Sequence, residues 1–199
     1  MQNTLEILNK NLFFVKEHIG LFKAANNYDI YDPQSNQIIM ECREPDLGGF
    51  TKILRFTGYK QNTPFNIVIS PVGGNPIIRV KRGVAIFRST VMVYDENNIQ
   101  IGWFKQKLVS LKHKFTVFDN MNRPAFILKG NFIGWEFTFT RDDVVLGSVS
   151  KKWAGFGKEM FTTADNYMLQ ISDSVPKDDP VRKLILAAVM CIDMVIKEK

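Results

Sequence analysis

Leu184-Ile185-Leu186-Ala187-Ala188-Val189-Met190-Cys191-Ile192 is apolar at every position, and Met194-Val195-Ile196 extends the run past a lone Asp193. The flanks mark a helix. Asp178 and Asp179 supply an N-cap and negative charge at the positive end of the dipole, Pro180 suits the first turn, and Lys197 and Lys199 sit at the far end. A helix apolar all round is buried on all sides. Two solvents could bury it. From Val181 to Ile196 it measures about 24 Å at 1.5 Å per residue, short of the roughly 30 Å of a bilayer core, and Asp193 within lipid costs about 2.5–3.5 kcal/mol. A wall of protein is the expected surrounding.

The remaining sequence can build that wall. Short β-branched and aromatic runs alternate with Asp, Asn, Pro and Gly, which is the period-two pattern of antiparallel hairpins. Twelve strands are expected, near 10–18, 26–32, 36–43, 64–70, 75–82, 88–94, 99–105, 114–119, 124–131, 133–140, 143–149 and 166–172. Several hairpins resemble one another. Val91-Met92-Val93-Tyr94-Asp95 precedes Ile99-Gln100-Ile101-Gly102-Trp103, and Phe115-Thr116-Val117-Phe118-Asp119 precedes Ala125-Phe126-Ile127-Leu128. Aspartate suits such corners because its carboxylate can accept a bond from the backbone two residues on. Between the third and fourth strands, Asp46 precedes Phe50, Ile53 and Leu54 on one helical stripe, so a short amphipathic helix is expected to plug one barrel end. A closed barrel of twelve strands is too wide for its own side chains to fill, and a central apolar helix solves both problems. The expected fold class is therefore mainly β, a closed twelve-stranded antiparallel barrel around a central apolar C-terminal helix, in a single domain over 1–199.

Composition agrees with a folded, non-secreted protein. With 199 residues, 45% apolar, 23% charged and 12% aromatic, the chain is neither disordered nor collagen-like. Cys42 and Cys191 have no CxxC partner and read as buried thiols in a reducing compartment. The N-terminus shows no basic n-region, apolar h-region or myristoylation glycine, so a cytoplasmic location is expected. The balance of 26 Lys+Arg against 20 Asp+Glu gives +6, which suggests an anionic partner.

Catalytic signatures are absent from the sequence. His18 and His113 are the only histidines, no HExxH or GxSxG occurs, and Gly155-Phe156-Gly157-Lys158 lacks the frame of a phosphate loop. Asp142-Asp143 and Asp178-Asp179 are explained by a turn and a helix cap, so the protein is not expected to be an enzyme. The basic residues are the better lead. Lys81-Arg82, Lys105 and Lys107, Lys129, and Lys151-Lys152 recur near the ends of successive second hairpin strands, which gathers them on one rim if the meander runs in register. Arg82 in bidentate geometry and the lysines as point charges suit phosphate oxygens, although strand-end lysines also serve solubility and edge protection. Trp153, beside Lys151 and Lys152, is the tryptophan expected at a headgroup interface, whereas Trp103 and Trp135 are read as core.

Phe13-Phe14-Val15-Lys16, Asn27-Tyr28-Asp29-Ile30-Tyr31-Asp32, Ile77 to Arg82, and Thr163-Ala164-Asp165-Asn166-Tyr167 followed by Leu184 to Val195 resemble the phospholipid scramblase family. More broadly they resemble the tubby C-terminal-like superfamily, which includes LURP-one-related proteins. The resemblance spans almost the whole chain and implies a barrel around a central C-terminal helix, with phospholipid redistribution, calcium response or phosphoinositide binding as family activities. The cysteine-rich palmitoylation cluster and proline-rich amino-terminal extension of the family are missing. The family's calcium segment falls on 163–174, where Asp165 and Asn166 match but Thr163 and Ser174 replace acidic ligands. No cofactor is expected; if calcium binds, Asp165 and Asn166 are the candidate ligands. The favoured partner is anionic phospholipid at the cytoplasmic membrane face, held by Lys81, Arg82, Lys105, Lys107, Lys129, Lys151, Lys152 and Trp153. The alternatives are a protein or nucleic-acid interaction module on the same surface, or a true scramblase. Nucleic acid is the weaker of these, because neither an RNP motif nor a helix-turn-helix is present.

Overall fold

The structure, a computed structural model, describes residues 4–17, 27–45, 63–83, 90–105, 113–131, 135–151 and 166–196. After a short helix α1 (Thr4–Leu8), twelve strands follow in sequence. They are β1 (Leu12–Glu17), β2 (Tyr28–Asp32), β3 (Gln37–Arg43), β4 (Phe65–Pro71), β5 (Ile78–Arg82) and β6 (Thr90–Asp95). Then come β7 (Gln100–Lys105), β8 (His113–Asp119), β9 (Pro124–Asn131), β10 (Glu136–Arg141), β11 (Val144–Ser150) and β12 (Asn166–Ile171), before helix α2 (Pro180–Ile196). Each strand pairs antiparallel with its sequence neighbours, and β12 returns to β1, closing the barrel. The fold is the one expected, with α1 as an addition. The helix anticipated around Asp46 to Leu54 lies outside the described residues.

The apolar segment is enclosed. Leu184 through Ile192 are nine consecutive residues at most 7% exposed, and two and a half turns of uninterrupted burial leave no solvent-facing side. Among the described residues, no helix is long and apolar enough to cross a membrane. The inner face of the wall comes from alternate strand residues, such as Phe65, Ile67 and Ile69 on β4 and Ile78 and Val80 on β5. Opposite Leu184 the wall carries glycine. A Cβ at Gly102 would strike the Phe118 carbonyl oxygen and lie 2.7 Å from the Leu184 Cδ2 atom. Asp179 caps α2 as expected, its Oδ1 accepting from the Val181 amide at 2.8 Å.

The two barrel ends differ. Tight turns join β2 to β3, β4 to β5, β6 to β7, β8 to β9 and β10 to β11 at one end, where α2 also enters. Asp95 Oδ1 accepts from the amides of Asn97 and Ile99, and Asp119 Oδ1 accepts from those of Met121 and Arg123. Asn98 and Asn122 then take positive φ, 60° and 62°, which asparagine tolerates. Carboxylates outnumber cations at this tight-turn end. All the other interstrand connections fall at the opposite end, together with the C-terminus of α2.

Asp32 opens one of these turns and carries a testable charge. Desolvation pushes its carboxyl up, but the Gln34 amide, the Lys10 ammonium at 3.2 Å and the Ser35 hydroxyl outweigh burial and hold it below the ordinary carboxylate value. A depressed folded-state value contributes stability that is complete above the unfolded-state value and is lost as pH falls through the folded one. Asp32→Asn is therefore expected to cost about 1–2 kcal/mol near neutral pH in urea titrations, with the gap to the parent closing in acid.

Candidate functional site: a basic barrel end

The register decides which basic residues meet. Lys81 is the penultimate residue of β5, Lys105 ends β7, Lys129 lies two residues before the end of β9, and Lys151 follows β11. All four positions fall at the end opposite the tight turns, as the spacing anticipates. Lys81 and Lys129 are exposed on the outer face, and Lys16 of β1 joins them farther round. Four strand steps of about 4.8 Å separate β5 from β9, so Lys81 and Lys129 span an arc of about 19 Å. An arc of that width exceeds the span of a single phosphate.

One pair is close. Lys114 on β8 stands directly across from Lys129, and Lys129 is in turn opposite Thr138 on β10. For Lys114, as for Lys105, only the strand position is described. Lys114 is the residue that reading by hairpin period overlooks, because a bulge between Val117 and Phe118 shifts the register of that hairpin by one residue.

Arg82 corrects the expectation of an outward bidentate ligand. Successive β residues alternate faces, so Arg82 follows Ile78 and Val80 into the barrel, where it is 4% exposed, lies 4.6 Å from the Phe65 ring centroid and donates to the Thr63 carbonyl at 2.7 Å. Lys151 is half-buried. Its Nζ lies 4.1 Å from the Trp135 ring centroid and 5.4 Å from that of Tyr167, and those two rings stack at 5.3 Å. The cation–π contacts hold its ammonium against these two rings. Trp135 packs against the core as expected, but Trp103 does not: its indole stacks on Phe118 on the outer wall, with centroids 4.3 Å apart.

Lys107, Lys152, Trp153 and Asp165 lie outside the described residues, and for Lys105 only the strand position is described. Asn166 is buried at the start of β12, opposite Lys16. Among the described residues, no group of three His, Cys, Asp or Glu is placed to hold a metal ion. Cys42 and Cys191 are both buried, and desolvation pushes each thiol far above its ordinary value, so neither is a nucleophile.

Known proteins share this architecture. The barrel resembles an X-ray structure of a protein from Arabidopsis thaliana with a TM-score of 0.57 at 16% identity, covering 96% of this chain and 95% of that one. In sequence the chain is 22% identical over 193 residues to human phospholipid scramblase 2, covering 89% of this chain and 62% of that protein. It is 24% identical over 189 residues to the Saccharomyces cerevisiae protein named altered inheritance rate of mitochondria protein 25, covering 82% of this chain and 57% of the relative. The chain thus spans about three fifths of the length of these relatives. A family model described as Scramblase matches residues 3–199, the strands and the enclosed helix together, and on that match the chain belongs to the Scramblase family.

Proposed function

We propose that the chain is a non-enzymatic, peripheral lipid-binding barrel that holds anionic phospholipid headgroups at the cytoplasmic membrane face. The observation that carries this reading is the arc of lysine positions at one barrel end, Lys81, Lys105, Lys129 and Lys151, with Lys114 across from Lys129 in the strand register. Family membership points to phospholipid, and the cations supply the preference for negative charge. Binding through such an arc is chiefly electrostatic, with each lysine near an anionic surface worth about 1 kcal/mol. It weakens as salt shortens the Debye length.

The test is sedimentation with phosphatidylcholine vesicles containing about one third phosphatidylserine. Lys129→Glu is expected to weaken binding by about tenfold to thirtyfold, because reversal removes one attraction and adds one repulsion. Neutral vesicles should bind little. Equal binding to neutral and anionic vesicles, or a Lys129→Glu variant as tight as the parent, would discard the headgroup assignment.

A further inference from the structure

The barrel wall is not uniform on its outer face. On the β10–β12 side, the cross-strand row reads Thr138, Ser148, Gln170, which is the polar set that a solvent-facing wall normally carries. On β6, β7 and β8 the corresponding row reads Met92, Trp103, Phe118, directly opposite one another. Met92 is 40% exposed, and Trp103 and Phe118 stack nearly parallel at 13°. The Trp103 Nε1–H donates to Asn122 Oδ1 at 2.9 Å, which fixes the indole against the wall, and neighbouring Met121 is 67% exposed. Lys81 lies next to Met92 in the same row, its Nζ 5.4 Å from the Tyr94 ring centroid.

We infer that this row is a membrane-contact face, where Met92 and Trp103 enter the interfacial layer of an anionic bilayer while Lys81 reaches its phosphates. The inference rests on the headgroup reading above and assigns it an apolar component. Three side chains are far too few for a stable protein interface, which needs about 800 Å² on each partner. A bilayer interface makes no such demand. It takes up aromatic rings whose polar tips are satisfied, and it rewards cations beside them. The charge is complementary as well, since Lys81 flanks the row and Lys129 lies beyond it toward the basic end.

The experiment places an environment-sensitive nitrobenzoxadiazole label on Met92→Cys and, as the control on the polar wall, on exposed Gln170→Cys. Cys42 and Cys191 are buried and do not compete for the label. With the anionic vesicles described above, fluorescence at position 92 is expected to rise about threefold or more while position 170 stays flat, as for a label leaving water. Met92→Glu, at an exposed site that tolerates the change, should weaken vesicle binding about tenfold. Vesicle binding with no rise at position 92, or equal rises at both positions, overturns the inference and leaves the headgroup reading standing. Loss of all vesicle binding by the unlabelled parent overturns both. A rise at position 92 that depends on protein concentration without vesicles assigns the face to a second copy of the chain and also overturns the inference.

Discussion

Arg182→Met is expected to lower the free energy of unfolding by about 4 kcal/mol, a large share of what a domain of this size possesses. Arg182 is 2% exposed in the first turn of α2. Its Nε–H donates to the Leu8 carbonyl, Nη1 to that of Val175, and Nη2 to both the Lys10 carbonyl and Asn11 Oδ1. The side chain therefore fastens the end of α1, the entry to β1 and the β12–α2 connection to the base of the central helix. Methionine keeps most of the stem volume and removes every donor, leaving buried acceptors unsatisfied at about 1–3 kcal/mol each before relaxation. Burial lowers the guanidinium's proton affinity, and Asp179, Asp173 and Asp178 offset that only in part. Adjacent Lys183 is the control, since its pairing with Glu96 is on the surface. Lys183→Met should change stability by less than about 1 kcal/mol. Urea unfolding followed by circular dichroism separates the two, and equal midpoints for both variants would show that the clamp contributes nothing.

What the sequence revealed and what it hid have the same physical origin. A run of nine apolar residues admits only enclosure, so the helix and the closed wall were legible from Leu184 to Ile192. The turns were legible too, because Asp95 and Asp119 bond the backbone of their own turns and need no tertiary partner. Helix α1 was not, since five residues are too few to show a helical period. The site was half legible. Residue spacing placed the lysines at one end, but a Lys-Arg dipeptide in a strand sends one member each way, and reading Lys81-Arg82 as a charge pair obscured the parity that puts Arg82 inside with Val80. Trp103 went astray for a related reason. Its neighbour Gly102 faces the helix without a side chain, so Phe104 marks the inner face of that strand beside an empty position and the tryptophan looked like the core residue. Lys114 needed the hairpin register, which depends on a bulge between Val117 and Phe118 that composition does not signal.

Ile185→Asp is expected to cost about 5 kcal/mol or more and to leave little folded protein, because it deletes packing and places a carboxylate where no water reaches. Ile185 is fully buried between Leu184 and Leu186. Burial raises the carboxyl's folded-state proton affinity above that of the unfolded chain, so the folded variant binds more protons and its stability falls as pH rises past the ordinary carboxylate value. The defect is thus smallest in acid and deepens toward neutrality. Ile185→Ala supplies the comparison: it loses about 2–5 kcal/mol to the cavity alone, and its penalty carries no such pH dependence. Urea titrations of both variants across the acidic range separate the two contributions. If α2 lay against the outside of the wall, position 185 would reach water and the aspartate would be tolerated with a flat pH profile. The barrel end that presents the lysines is shaped by strands held apart by this helix, so a tolerated Ile185→Asp would also undo the geometry of the basic arc.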